Sequence, residues 1–367
     1  IPFFMLAGNI MSRSITGKLI DVSNALIGWI KGSLAVVTVL ASALFGAISG
    51  SGVATASAVG GTTIPAMKEE GYPDHFAAAI SGIAAILGPI IPPSITLIVY
   101  ASITDLSVSK LFVGSVIPGI LMAVGLIIYA LFYGKKNDLP AHERKSAKEV
   151  LLIFKDSIWA LLMPVIILGG IYSGLFTPTE AAAIAVFYGI IVSAFVYRNM
   201  GWKDFIHVLS ASASSTASIL FLVANAHIFS YLLSSEQIPQ KLAILMTSLT
   251  TNPTMIMFLI MIVLLIAGCF LDNAVAVILL TPIFVNVVQA MNIDICYFGV
   301  FLVFVLAIGQ VTPPVGLCLF VACDIGKVSI EKISREVLPY VGGLIVTAIL
   351  LVLFPQIVTW LPSLTGL

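Results

Sequence analysis

Asp272 is the acidic residue set deepest in an apolar run of this chain, between Met255–Phe270 and Ala274–Val287. A carboxylate at membrane depth costs about 3 kcal/mol or more, so it carries a partner, a cation or both. Its neighbours are chemically alike. Asn273 adds an amide, and Gly309-Gln310-Val311-Thr312-Pro313-Pro314-Val315 adds the Thr312 hydroxyl and free carbonyls such as that of Gly309. A second set lies earlier in the chain. Ser49, Ser51 and Thr55 supply hydroxyls, and Gly88-Pro89-Ile90-Ile91-Pro92-Pro93-Ser94 supplies the carbonyls of Gly88, Ile91 and Pro93. These are hard oxygen donors, suited to small hard cations. The simpler role for Asp272 is to cap the helix that follows it, and one carboxylate can do both.

The elements that must hold these residues are broken helices and short hairpins. Proline lacks an amide proton and disfavours helical geometry in the residue before it, so the two Pro-Pro stretches interrupt apolar segments near their centres. Unpaired backbone at that depth survives only where protein buries it or a polar cavity receives it. The segments flanking Ser49-Gly50-Ser51-Gly52 and Leu271-Asp272-Asn273 fall short of the roughly 20 residues a span needs, which predicts re-entrant hairpins. Gly88 lies 37 residues after Ser51, and Gly309 lies 37 after Asp272. An offset of 221 also superposes Pro92-Pro93 on Pro313-Pro314 and Pro118 on Pro339, whereas Pro65 and Pro282 are 217 apart. Paired broken helices in the two halves of a chain point to the binding site of a secondary transporter.

Composition agrees. The 367 residues are 60% hydrophobic and 9% charged, with a mean hydropathy of +1.14, against about 25% charged in soluble domains. The chain is read as an all-α polytopic membrane protein. Its 17 basic and 17 acidic residues cancel, so no charge excess points to nucleic acid. The four cysteines lie in or beside apolar segments, with no spacing for zinc or an iron–sulfur cluster.

Residues 1–33 read as the end of a spanning helix followed by an amphipathic arm, Lys18–Lys31. The opening Ile1-Pro2-Phe3-Phe4-Met5 lies mid-helix, so further chain is expected before it. Residues 34–107 hold a hairpin (34–67) and a broken helix (75–103). Residues 108–253 hold the spans Lys110–Gly134, Val150–Ile171 and Phe176–Tyr197, the Ser- and Ala-rich segment Trp202–Leu233, and a second arm, Ser234–Ser248. Residues 254–326 repeat the hairpin (254–288) and broken helix (296–323), and 327–367 contain the final span, Lys332–Val358. With the loop 135–149 in the cytoplasm, all but Lys110 and Lys241 of the 17 basic residues fall on that side. The hairpins then enter from opposite faces and the repeat is inverted, which suits alternating access.

Other candidates have plainer explanations. Thr177-Pro178-Thr179-Glu180 reads as a capping box with proline in the first turn. His75, His142, His207 and His227 are scattered; His227 and Asn225 could meet a substrate, but a satisfied histidine is the simpler reading. Ser51 as a nucleophile needs a base in hydrogen-bond reach, and no histidine is placed to serve. A channel would share the broken helices, but two closed hairpins favour a carrier.

Together, the Ser-Gly-Ser-Gly tip, the Gly-x-x-x-Pro-Pro breaks at 88–93 and 309–314, Leu175–Ala183 (LFTPTEAAA) and the opening Pro-Phe-Phe-Met-Leu-Ala-Gly resemble the large membrane subunit of a tripartite ATP-independent periplasmic (TRAP) transporter. The likeness covers essentially the whole chain and is greatest to the sialic-acid type. It implies a sodium-driven importer of organic acids in the bacterial inner membrane, with elevator-like motion and no enzyme activity. It also implies a periplasmic substrate-binding protein and a small membrane subunit, separate or fused N-terminally, amid phospholipid. Carried over by position, sodium would sit at Ser49, Ser51, Gly88, Ile91 and Pro93, and again at Asp272, Asn273, Gly309 and Thr312. Thr55, Pro92, Ser94, Pro313 and Pro314 would line the acid. Because Asp272 stands where Ser51 does and Val315 where Ser94 does, the two sites are not expected to be equivalent. Proton coupling through Asp272 is the alternative to sodium.

Overall fold

The computed structural model describes residues 2–141, 144–237, 241, 244 and 250–365. Most of the second arm, Ser234–Ser248, lies outside the described residues, as do His142 and the side chain of His227. The described residues are helical throughout, joined by short turns.

The expected helix end and first arm are one continuous helix, α1 (Pro2–Ile27). No proline interrupts it, and Phe4, Ala7, Met11, Ile15, Leu19 and Val22 are buried along a single stripe at helical spacing. The arm is therefore the second half of a packed helix.

The first hairpin is α2 (Ser33–Ser49) and α3 (Gly52–Glu69). Gly50 turns it with φ 62°, a left-handed conformation that favours glycine. The first broken helix is α4 (Asp74–Ala84), a 3₁₀ turn (Ala85–Leu87) and α5 (Ile95–Thr104). Four long helices follow: α6 (Val108–Lys136), α7 (Ala147–Tyr172), α8 (Pro178–Ile191) with a π turn at Val192–Val196, and α9 (Trp202–Ser235). The second hairpin is α10 (Pro253–Phe270) and α11 (Asn273–Ala290), and the second broken helix is α12 (Ile295–Gly309) and α13 (Leu317–Gly326). The last expected span ends early. α14 (Ile330–Leu353) stops because Pro355 excludes Phe354 from helical geometry, and a short α15 (Gln356–Thr365) folds back on α6.

Single prolines are carried inside helices, at Pro65, Pro118, Pro164, Pro282 and Pro339, whereas the tandem pairs end them. The Pro92–Pro93 and Pro313–Pro314 bonds are both cis. Among the described residues, seven helices are long and apolar enough to cross a membrane, α10 and α11 included. These two nevertheless form a hairpin, whose tip meets the break between α12 and α13 (below).

α14 shows the inversion directly. Near its start, Glu336 Oε2 lies 3.8 Å from His75 Nε2 at the head of α4. Near its end, the Leu351 carbonyl accepts a 2.9 Å bond from Tyr297 Oη at the head of α12. The two broken helices therefore begin at opposite ends of one spanning helix. The halves also interlock: α13 packs on α3 and α4, and α5 packs on α11 and α12. At the far ends, Lys68 Nζ donates to the Gly326 carbonyl (2.7 Å) and Tyr100 Oη to the Ile295 carbonyl (2.8 Å).

Candidate ion and substrate site

Glycines let the first tip sit directly on the first break. A methyl group on Gly46 would lie 2.8 Å from Gly88 Cα, and one on Gly88 would lie 2.6 Å from the Ser51 carbonyl oxygen. Around this contact the hydroxyls bond mainly to the backbone of their own tip. Thr55 Oγ1 donates to the Ser51 carbonyl at 2.7 Å and lies 3.2 Å from Ser49 Oγ. The Ser51 amide reaches Ser49 Oγ at 3.4 Å, and Ser51 Oγ accepts from the Ala54 amide at 3.4 Å, capping α3. Ser49 and Thr55 are buried. Ser94 is buried too and committed within the break: its Oγ donates to the Pro89 carbonyl (2.5 Å) and accepts from the Leu97 amide (3.2 Å), capping α5. Pro92 and Pro93 are buried beside it, with Ile91 half-buried.

The second tip repeats this seating with different chemistry. A methyl group on Gly309 would lie 2.4 Å from Gly268 Cα. Asp272 caps α11, its Oδ1 accepting from the Ala274 amide at 3.0 Å, and its Oδ2 accepts from Gln310 Nε2 at 3.3 Å. Asn273 is only 3% exposed, yet neither its Oδ1 nor its Nδ2 has a hydrogen-bond partner. Burying an amide with both ends unpaired costs several kcal/mol by transfer scales, roughly 2–7, so this side chain is a candidate ligand. Thr312 Oγ1 donates to the Ile308 carbonyl at 2.7 Å. Thr312, Pro313 and Val315 are half-buried and Pro314 is exposed, so this break opens outward where the first is enclosed.

The two half-sites meet at Gln310, which sequence reasoning did not single out. It is 1% exposed, and besides its bond to the second tip it reaches the first. A methyl group on Gly52, the first residue of α3, would lie 2.9 Å from Gln310 Oε1. A long amide amid Val305–Val311, otherwise apolar or glycine, was the available signal.

Helix ends account for what these groups can bind. α3, α5, α11 and α13 all begin at a tip or break, and α2, α10, α12 and the 3₁₀ turn all end at one. Helix N-termini present unpaired amides and partial positive charge, suited to a carboxylate; C-termini present carbonyls, suited to a cation. An anion can thus be held here without a guanidinium or ammonium group. The remaining candidates stand apart. Glu180 closes the capping box with Thr177, and a second box joins Ser146 and Glu149. His75 faces Glu336, and all four cysteines are buried thiols.

The sequence model of the family described as "Tripartite ATP-independent periplasmic transporter, DctM component" matches residues 1–357. The chain belongs to this family. It is 42% identical, over 100% of its length and 86% of the relative's, to the "C4-dicarboxylate TRAP transporter large permease protein DctM" of Pseudomonas aeruginosa. It is 36% identical, over 99% and 86%, to the "Sialic acid TRAP transporter large permease protein SiaM" of Vibrio cholerae. The YdaH transporter of Alcanivorax borkumensis has the same fold, with a TM-score of 0.65 over 97% of this chain and 84% of that one at 14% identity. The DctM family fixes the chain as a multi-pass permease subunit of the bacterial inner membrane and not an enzyme.

Proposed function

We propose that this DctM-family chain is the permease for sodium-coupled import of an organic acid handed over by a periplasmic substrate-binding protein, with a small membrane subunit as its third component. The observation that carries the reading is the meeting of two hairpin tips and two helix breaks, with Asp272 and the unpartnered Asn273 on one side and Ser49, Ser51 and Thr55 on the other. Sodium suits the neutral and carboxylate oxygens of the two tips. The acid suits the amide-rich helix N-termini between them, beside Thr55, Pro92, Pro313 and Pro314. Relatives named for C4-dicarboxylate and for sialic acid align with 99–100% of this chain, and the two named substrates share a carboxylate. Bound cations reduce the cost of holding that carboxylate in low dielectric. The loaded hairpins and broken helices then move as a body against α6–α9 and α14, an elevator displacement.

The test is uptake by the complete transporter in proteoliposomes, with its binding protein outside and labelled sialic acid or a C4-dicarboxylate as probe. Uptake of one acid should follow an imposed sodium gradient and cease when sodium is replaced by choline. Uptake driven by a pH gradient without sodium would overturn sodium coupling and leave Asp272 as a proton carrier.

A further inference from the structure

We propose that Gln310 is the positioning residue that couples the two half-sites, so that a cation arriving at Asp272 is felt at the first hairpin tip. This rests on the reading that Asp272 takes a cation.

The geometry supplies a two-state element. With Asp272 bare, the Gln310 amide must turn its N–H side to the carboxylate, because its oxygen there would face negative charge; Nε2 indeed lies 3.3 Å from Asp272 Oδ2. A cation on that carboxylate reverses the preference: the amide oxygen becomes the attractive face and the NH₂ group the repelled one. The amide cannot turn freely, however. It is almost wholly buried, its oxygen accepts from Cys318 Sγ at 3.8 Å, and it stands where a side chain on Gly52 would have to be. Gly52 opens α3, and the donor that faces the Gln310 oxygen is the Cys318 thiol. Turning the amide would aim its NH₂ at that thiol and at the closely approaching start of α3, so the tip that α3 carries must shift. The backbone is fixed more firmly than the side chain, since the Gln310 carbonyl accepts from the Cys318 amide at 3.1 Å. The movable part is therefore the amide alone, and its two orientations favour different positions of the first tip. Coupling of this kind makes two ion sites cooperative, with a Hill coefficient that can approach the number of sites.

The experiment is hydrogen–deuterium exchange of the purified transporter in nanodiscs, titrated with sodium chloride at constant ionic strength in choline chloride. Peptides covering residues 46–56 and 266–276 report the two tips. In the wild type both should gain protection at one sodium midpoint with a Hill coefficient above 1. Gln310→Met keeps the side-chain volume without donor or acceptor; Gln310→Asn keeps the amide but is too short to reach both tips. In either variant the two midpoints should separate by about tenfold and the Hill coefficients fall to 1. A residue that merely fills space would leave the Met variant cooperative. Coincident, cooperative titrations in a folded Gln310→Met or Gln310→Asn protein would overturn the coupling alone. Absence of sodium protection at both wild-type tips would overturn the sodium reading and the coupling with it.

Discussion

The two helix breaks share a topology and differ in almost every side chain that matters. The first is enclosed: Ser94 is buried and spans from the Pro89 carbonyl to the Leu97 amide, and the tip above it carries only hydroxyls. The second opens toward Pro314; Gly316, in a left-handed conformation, takes the place of a capping side chain, and its amide reaches the Cys269 carbonyl at 3.2 Å. Only the second tip carries a carboxylate. The difference has a physical logic. A tip seated on the enclosed break is safest with neutral oxygens, because an unpaired charge there would bear the full desolvation cost. A charge is tolerable at the tip on the open break, where a buried amide and a helix N-terminus already partner it. One fold thus provides a neutral site and a charged site from the same pair of elements.

The strongest way to break this contrast is to remove the charge. Asp272→Asn should abolish sodium-driven uptake while leaving α11 capped, since asparagine caps as well as aspartate. Ser51→Ala should lower uptake more gently and raise the sodium concentration needed, because carbonyls remain to hold an ion. Equal losses in initial uptake rate would show the two sites to be alike after all.

Next come the glycine contacts. Gly88→Ala and Gly309→Ala each force a methyl group into backbone, and overpacking of this kind costs about 1–3 kcal/mol. The methyl group meets backbone more closely at Gly309, 2.4 Å against 2.6 Å, so Gly309→Ala should lower the thermal unfolding temperature more. The reverse order would mean that the first tip is the more rigidly held.

The smallest effect expected is at the helix caps. Ser94→Ala should cost about 0.5–2 kcal/mol, through the lost cap and a buried carbonyl left unpaired. Val315→Ser, at the matching position, should gain nothing, because Gly316 already turns the chain. Thermal denaturation of the two variants checks the pair.

Much of this architecture could be read from local chemistry. Tandem prolines end helices wherever they stand, so the breaks at 88–94 and 309–315 were legible. The equal spacing of 37 residues between tip and break exposed the repeat. The continuity of α1 is not legible in sequence, because the pattern of Lys18–Lys31 is amphipathic by itself, and only the stripe shared with Phe4, Ala7 and Met11 reveals one helix. The end of the last span is hard to read because apolar sequence lies on either side of Pro355, whose ring ends the helix at Leu353. Gln310 is not legible from sequence because its importance lies in contacts, not in residue type.

The sequence by itself determined the membrane class, the paired tips and breaks, the oxygen chemistry around them and the singular place of Asp272. Those properties follow from side-chain polarity and backbone rules that act within a few residues. Only the tertiary structure decided that one break is enclosed and the other open, that α5 and α13 each cross into the opposite half, and that one amide lies between both tips. Such contacts join residues far apart in the chain, 38 positions for Gln310 and Asp272 and 258 for Lys68 and Gly326, where packing rather than local propensity sets the neighbour.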